Sequence, residues 1–283
     1  EFLDFHRQYY HPSNSFIYLY GNMDMEEKLE FLDSHYLSAF DSLVIDSEIR
    51  DQEAFAQVKD IQKPYPVSED EGEEDNTYLS YNMVVGEAAD INLSLAFEVL
   101  DYALLSAPGA PLKQALLDAK IGKDIYGSFE DGIKQTYFSI VAKGANLSQK
   151  EEFVKVIRDT LTKIAEEGID KKAVTAGINY YEFRFREADF SSYPKGLMYG
   201  LDILSSWLYD DTKPFCEVQL LEGFEFLKKA LEEGYFEELI RKYLLGNTHG
   251  AILSLVPEKG LAAKRDKELE EKLARQCELN AQL

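Results

Sequence analysis

The sequence has few of the residues that enzymes use most often for metal-dependent and nucleophilic chemistry. Its 283 residues include four histidines, two cysteines and one tryptophan. Two cysteines cannot make a disulfide framework in a chain of this length, which indicates a reducing compartment. No run approaches the ~20 apolar residues that a membrane-spanning helix needs, so no membrane partner is expected.

The first residues also lack the features of a targeting segment. The chain opens on Glu1-Phe2-Leu3-Asp4, with neither an initiator Met nor the basic region of a signal peptide. We therefore expect an intracellular protein, in a bacterial cytoplasm or an organelle. The same opening suggests a section excised from a longer protein.

The histidines do not form a hydrolytic zinc motif. Such a site needs two imidazoles one helical turn apart and a nearby glutamate. Neither His-Glu-x-x-His nor the inverted His-x-x-Glu-His occurs, and the four histidines are His6, His11, His35 and His249. Their expected roles are capping, packing or surface roles.

Nucleophile and phosphate motifs are missing as well. Cys216 and Cys277 have no metal-ligand or catalytic spacing, and there is no Gly-x-Ser-x-Gly elbow or glycine-rich phosphate loop. We therefore predict no catalytic residue, no metal ligand and no resident cofactor in this chain.

Charge of one sign dominates the composition. There are 52 acidic and 30 basic residues, which gives a net charge of −22. Such a balance repels phosphate backbones and excludes nucleic acid as a favoured partner. The charge would favour basic ligands if it were gathered in a cavity. The alternative is a generally acidic surface that keeps the protein in solution, and composition alone favours it.

The pattern along the chain predicts four parts. In residues 1–45 we expect the end of a helix, a strand at Ser15–Tyr20 and a second helix capped by Asp24. Residues 46–75 are expected to be an acidic linker, in which six of the seven residues from 69 to 75 are acidic. Residues 76–257 make the main domain, and residues 258–283 a charged helix with a thin apolar stripe.

The main domain shows strands and helices in the order strand, helix, strand pair, helices, strand. The predicted strands are Tyr78–Val85, Ile125–Glu130, Gln135–Lys143 and Ala251–Val256. Helical spacing predicts long helices between residues 150 and 208. The alternation in the third strand suits a sheet that is covered on at least one face.

Two features could contact a ligand. Arg184 and Arg186, with Tyr180 and Tyr181, could bind a carboxylate or a peptide backbone; pairing of the arginines with Glu182 and Glu187 is the favoured alternative. The strand pair from 128 to 143 could accept an extended peptide at its edge, as any edge strand could. The acid pairs Glu166-Glu167 and Glu232-Glu233 are typical of solvated helix faces.

Several segments resemble a known enzyme superfamily. The run Phe5-His6-Arg7-Gln8-Tyr9-Tyr10-His11-Pro12-Ser13-Asn14-Ser15 and Ile17 to Asp24 resemble the pitrilysin/insulinase superfamily of zinc metallopeptidases. Further matches resemble its presequence protease and falcilysin branch. These are Ala107 to Leu112, Ile121 to Asp124, Phe138 to Gly144, Glu182 to Glu187 and Tyr193 to Leu197.

The resemblance implies an α+β fold, with an antiparallel sheet backed by helices. It implies that residues 1–45 end the first, catalytic peptidase domain, that residues 76–257 form the second, non-catalytic domain, and that residues 258–283 begin a helical linker. The zinc ligands would lie before Glu1, and the substrate-binding Arg and Tyr of the family beyond Leu283.

The implied function is that of a non-catalytic section of a zinc endopeptidase that degrades unstructured peptides and forms part of its peptide chamber. Its partners would be the rest of the peptidase and the peptides, and we predict that this chain alone is inactive. A natural non-catalytic subunit that pairs with a separate active chain, or a stand-alone peptide-binding module, are the alternatives.

Overall fold

A five-stranded mixed sheet is the centre of the fold. The computed structural model describes residues 1–188 and 190–281. The strands are β1 (Lys59–Val67), β2 (Thr77–Glu87), β3 (Asp124–Glu130), β4 (Gln135–Ala145) and β5 (Gly250–Lys259), in the spatial order β1-β5-β2-β4-β3. β1 runs parallel to β5, and every other pair is antiparallel.

Ten α-helices accompany the sheet within the described residues. They are α1 (Phe2–Tyr9), α2 (Met25–His35), α3 (Ile91–Asp101), α4 (Pro111–Asp118), α5 (Lys150–Glu167), α6 (Lys171–Glu187), α7 (Lys195–Trp207), α8 (Leu221–Ala230), α9 (Tyr235–Leu239) and α10 (Leu261–Ala281). Two π-helical turns, Tyr102–Ser106 and Ile240–Leu245, continue α3 and α9.

The core lies between one face of the sheet and the helices. Leu79, Tyr81 and Met83 alternate along β2 and are fully buried, because side chains two apart on a strand point to the same face. Phe97 of α3 is also fully buried and contacts the rings of Phe129 and Phe138. The α+β class, with a sheet backed by helices, is confirmed.

The predicted linker contains a strand that sequence reasoning missed. Residues 59–67 form β1 at the edge of the sheet, with Lys59 opposite Ala251 and Val67 opposite Lys259. Pro64 and Pro66 argue against a strand in the sequence. An edge strand tolerates proline, since the side facing away from the sheet needs no N–H donor. Because β1 is parallel to β5, the sheet is mixed rather than wholly antiparallel.

The strand predicted at residues 15–20 is wrong. These residues are extended but belong to no sheet, because no strand of the described chain lies beside them. They cross α7 instead: Phe16 meets the ring of Trp207, and Tyr20 meets that of Tyr199. We call residues 15–20 the crossing segment.

The helix predicted near the end of the chain is present as α10, whose Arg265 guanidinium donates to the carbonyl of Pro64 in β1. Residues 282 and 283 of that prediction lie outside the described residues. No helix in the described ranges combines the length and apolarity that crossing a membrane requires.

Candidate functional site

The four histidines lie in different surroundings and do not form a metal site. His6 stacks on Tyr10, and His35 stacks on Phe31. His11 caps a short turn by accepting a hydrogen bond at Nδ1 from the Ser13 amide at 3.1 Å. His249 is 8% exposed and packs edge-on against Phe55.

Zinc, the metal of the resembled superfamily, therefore does not fit the residues present. Across residues 1–188 and 190–281, no group of three histidine, cysteine or acidic side chains is placed to hold a metal ion. Cys216 and Cys277 are both free thiols, and no disulfide bond joins them.

The arginines singled out in the sequence differ in their surroundings. Arg186 pairs with Glu182 one turn earlier, at 2.6 Å, as the favoured interpretation predicts. The exposed Arg184 has no such partner in Glu187; its guanidinium lies 5.6 Å from the ring centre of Tyr180. The other half of that prediction is therefore wrong.

Of the strand pair that was predicted to accept a peptide, β3 alone has an unpaired side within the described residues. β4 is paired on both sides, by β2 and β3, so the outer side of β3 is the edge that remains. The acid pairs occupy solvated helix surfaces: Glu232 contacts Lys171 at 2.6 Å, and Glu167 contacts Lys163 at 3.9 Å. Neither acid pair lines a cavity described below.

A cleft of about 380 Å³ lies on the helical side of the molecule. It contains carboxylates from four different places in the fold. Glu98 comes from α3, Asp202 from α7, Glu217 from the short turn Cys216–Val218, and Asp131 from the turn between β3 and β4. We call this cavity the acidic cleft.

The packing of α3 and α6 positions the residues on one side of the acidic cleft. α3 is buried on nearly every side, and it begins where Asp90 accepts a hydrogen bond from the Leu93 amide at 3.2 Å. Glu98 is therefore held at a fixed place among packed apolar residues. α6 lies against α3 and contributes Tyr181 and Arg184 to the walls.

The acidic cleft is short of positive charge. Within the described residues, none of its four carboxylates has an ion-pair partner, and Arg184 is the single cation in the walls. Carboxylates that are close together and partly buried hold their protons more tightly, because burial and like charge both disfavour ionisation.

Burial, and then the charge of Asp131, raise the pKa of Glu98 to about 7 and that of Glu217 to about 8. Burial likewise raises the pKa of Asp131 and of Asp202. The Arg184 guanidinium acts in the opposite direction on the Glu98 pKa but does not offset the burial. A cationic group that entered the cleft would relieve this repulsion.

None of these four acids was singled out in the sequence, although two of them carry a signal. Glu98 is the one charged residue in the apolar run 91–100, and Asp202 is the one charged residue in the run 196–207. A lone charge in a buried helix is unusual unless it is paired or functional. Glu217 and Asp131 lie in turns, where acids are common, and carry no such signal.

Comparison with known proteins places the chain among peptidases. Residues 1–181 match the family model described as the peptidase M16 inactive domain. "Protein HypA" of Clostridium perfringens is 46% identical over 273 residues, covering 96% of this chain and 28% of that protein. Presequence protease 1, chloroplastic/mitochondrial, of Arabidopsis thaliana is 35% identical over 280 residues, covering 96% of this chain and 26% of that protein. The chain thus spans little more than a quarter of these relatives' length.

Solved structures share the fold at low sequence identity. A protease from Helicobacter pylori superposes with a TM-score of 0.64 at 16% identity, over 90% of this chain and 58% of that one. The first half of the periplasmic protease PqqL from Escherichia coli gives 0.61 at 11% identity, over 90% and 53%. These likenesses concern the fold alone.

Proposed function

Because the chain belongs to the peptidase M16 family, on the presequence protease branch of the pitrilysin/insulinase superfamily, we propose that it is a non-catalytic section of a zinc-dependent endopeptidase that degrades unstructured peptides. Its family model is that of an inactive domain. In this proposal, the metal and the residues that activate water are supplied by parts of the peptidase outside this sequence. This section contributes peptide-binding surface and part of the wall of the peptide chamber.

The proposed partner is the rest of the peptidase, and residues 1–45 are the proposed contact. No side chain in this range is buried. Outside the crossing segment, large apolar side chains exposed there are Phe2, Leu3, Phe5, Tyr10, Met25, Leu29, Phe31, Tyr36, Phe40, Leu43 and Val44. So many exposed apolar side chains on one segment are typical of a protein interface. We propose that residues 1–45 complete the first, catalytic domain, and that 76–257 are the second.

The acidic cleft is the observation that carries the proposed role in substrate binding. Its four carboxylates lack ion-pair partners among the described residues, so a lysine or arginine side chain of a peptide would favour their ionised forms and pair with them. We propose that the cleft faces the peptide chamber and favours basic peptides. The net charge of −22 adds long-range attraction of the same sign.

The test uses the complete peptidase and two peptides of equal length, one basic and one neutral. The variant Asp131→Asn/Glu217→Gln is compared with Glu166→Gln, which removes one exposed charge outside the cleft. We expect KM for the basic peptide to rise roughly five- to tenfold, which is a loss of about 1 kcal/mol of binding free energy, with kcat and the neutral peptide unaffected. If the variant changes KM equally for the basic and the neutral peptide, the proposed role of the cleft is rejected.

The compartment follows the same proposal. Relatives on this branch are named as mitochondrial or chloroplastic proteins, for example in Arabidopsis thaliana and Xenopus laevis. We propose an intracellular site of action, in a bacterial cytoplasm or an organelle, where free peptides are exposed to the enzyme.

A further inference from the structure

A second, larger cavity adjoins the acidic cleft. It has a volume of about 710 Å³ and is lined mainly by apolar and aromatic side chains. Tyr18 and Tyr20 of the crossing segment form one wall, and Ile203, Phe215 and Leu221 contribute to the others. We call this cavity the apolar groove.

The two cavities are adjacent. Phe185, Tyr199 and Val218 line both of them. A ligand that fills the apolar groove therefore lies beside the acidic cleft, separated from its carboxylates by the side chains that line both cavities.

The walls of the apolar groove are open to solvent. Phe215 is 55% exposed, Tyr20 53% and Leu221 40%. Covering such surface is favourable by about 25 cal/mol per Å² of apolar area, so burial in the groove contributes to the binding free energy of an apolar occupant. Arg186 also lines the groove, but its guanidinium is paired with Glu182. The adjoining carboxylates therefore decide the charge of the partner: they favour one that brings a cation and disfavour one that brings a carboxylate.

The spacing between the two side chains of such a partner follows from strand geometry. In an extended peptide, residues i and i+2 point the same way and lie about 7 Å apart, so both side chains can point at two neighbouring cavities. Adjacent residues point to opposite faces and cannot fill both cavities.

We propose that the acidic cleft and the apolar groove form one two-part docking site. Its occupant is an extended peptide that carries a large apolar side chain at one position and an arginine or lysine two residues away. The proposal rests on the proposed function, since it keeps the basic residue in the acidic cleft, and it adds the apolar residue and the spacing.

The experiment is a fluorescence anisotropy titration of short labelled peptides with the 283-residue chain. The probe contains Phe-Ser-Arg within a neutral Gly/Ser sequence, and the matched peptides contain Ser-Ser-Arg, Phe-Ser-Glu and Phe-Arg-Ser. We expect the Phe-Ser-Arg peptide to bind roughly fivefold or more tightly than each of the other three, because each of them loses one of the two contacts.

Variants assign each contact to its cavity. Phe215→Ser should weaken binding of the Phe-Ser-Arg peptide and leave that of Ser-Ser-Arg unchanged, with the exposed Leu269→Ser on α10 as its control. Glu217→Gln should weaken both arginine peptides, with Glu166→Gln as its control. Far-ultraviolet circular dichroism of each variant establishes that the fold is retained.

The outcomes separate the two proposals. If Phe-Ser-Arg and Ser-Ser-Arg bind equally, and Phe215→Ser has no effect, the two-part site is overturned while the acidic cleft keeps its role. If exchange of Arg for Glu changes nothing, both proposals are overturned. Selective binding of Phe-Ser-Arg that is lost in both cavity variants supports both.

Discussion

Glu237 shows how one buried side chain holds three helices in place. It lies on α9 and is 9% exposed. Its Oε1 accepts a hydrogen bond of 2.9 Å from the amide of Ile169, which lies in the turn between α5 and α6. A buried amide that loses its acceptor costs its full desolvation free energy, so this single contact matters more than an exposed ion pair does.

We therefore predict that Glu237→Ala lowers the free energy of unfolding by about 1–3 kcal/mol, because the Ile169 amide is left without a partner. Urea denaturation followed by circular dichroism measures this change. The neighbouring Glu238→Ala removes an exposed carboxylate from the same helix and should change stability by less than about 0.5 kcal/mol. Equal effects of the two substitutions would contradict the role of Glu237.

Residue chemistry could be judged from the sequence only where it is local. The pairing of Arg186 with Glu182 follows from their i, i+4 spacing on a helix and was predictable. The grouping of Glu98 with Asp202 and Glu217 was not, because more than a hundred residues separate the first of them from the others. Long-range neighbours are decided by how helices pack.

At the scale of elements, the crossing segment depends on two glycines of α7. A Cβ at Gly196 would lie 2.3 Å from the Tyr20 ring, and one at Gly200 would lie 2.9 Å from the Tyr18 ring. Glycine is unfavourable inside a helix, so its use one turn apart on α7 indicates a close approach. The segment contacts α7 because these two positions have no side chains.

The double variant Gly196→Ala/Gly200→Ala should displace the crossing segment. At each position, overlap with a tyrosine ring costs about 1–3 kcal/mol. This cost equals or exceeds the gain of about 1 kcal/mol in helix propensity at the same position. Trp207 is the single tryptophan of the chain, and it contacts Phe16 of this segment. Its fluorescence should shift to the red and become more accessible to acrylamide.

Gly72→Ala is the matched control for this experiment, because a Cβ there would meet no atom within 4 Å. It should leave the tryptophan emission unchanged. An unchanged emission in the α7 double variant as well would mean that the segment does not rest on these glycines.

At the scale of the whole molecule, the acidic cleft links stability to pH. The pKa of Glu98 is raised to about 7 and that of Glu217 to about 8, from an ordinary value of 4.5. The folded state therefore binds more protons than the unfolded state between about pH 4.5 and 8. Under linkage, the free energy of unfolding contributed by these groups is present below this window and is lost as pH rises through it.

We predict that Glu98→Gln/Glu217→Gln is more stable than the parent chain at pH 8.5, and that the difference shrinks towards pH 4.5. The expected gain is on the order of 1–3 kcal/mol, less than the full shifts would give, because solvent screens charges in an open cleft. Urea titrations across this range measure it, with Glu166→Gln as the control. A stability difference that does not vary with pH would contradict the raised pKa values of Glu98 and Glu217.

The sequence by itself determined the family, the α+β class and most of the elements. Local periodicity and capping predicted the helix around 153–164 and the strand pair around residue 131, and the family motifs are contiguous runs that need no structure to be recognised. Those properties depend on neighbours along the chain, which the sequence displays directly.

Tertiary structure alone decided the rest. β1 is a strand because β5 lies beside it, and residues 15–20 are not one because no described strand does. The acidic cleft exists because α3, α6, α7 and two turns converge. Pairing with a distant partner, and the crowding of distant charges, depend on which surfaces the packed helices and sheet bring together, and no local pattern of residues records that choice.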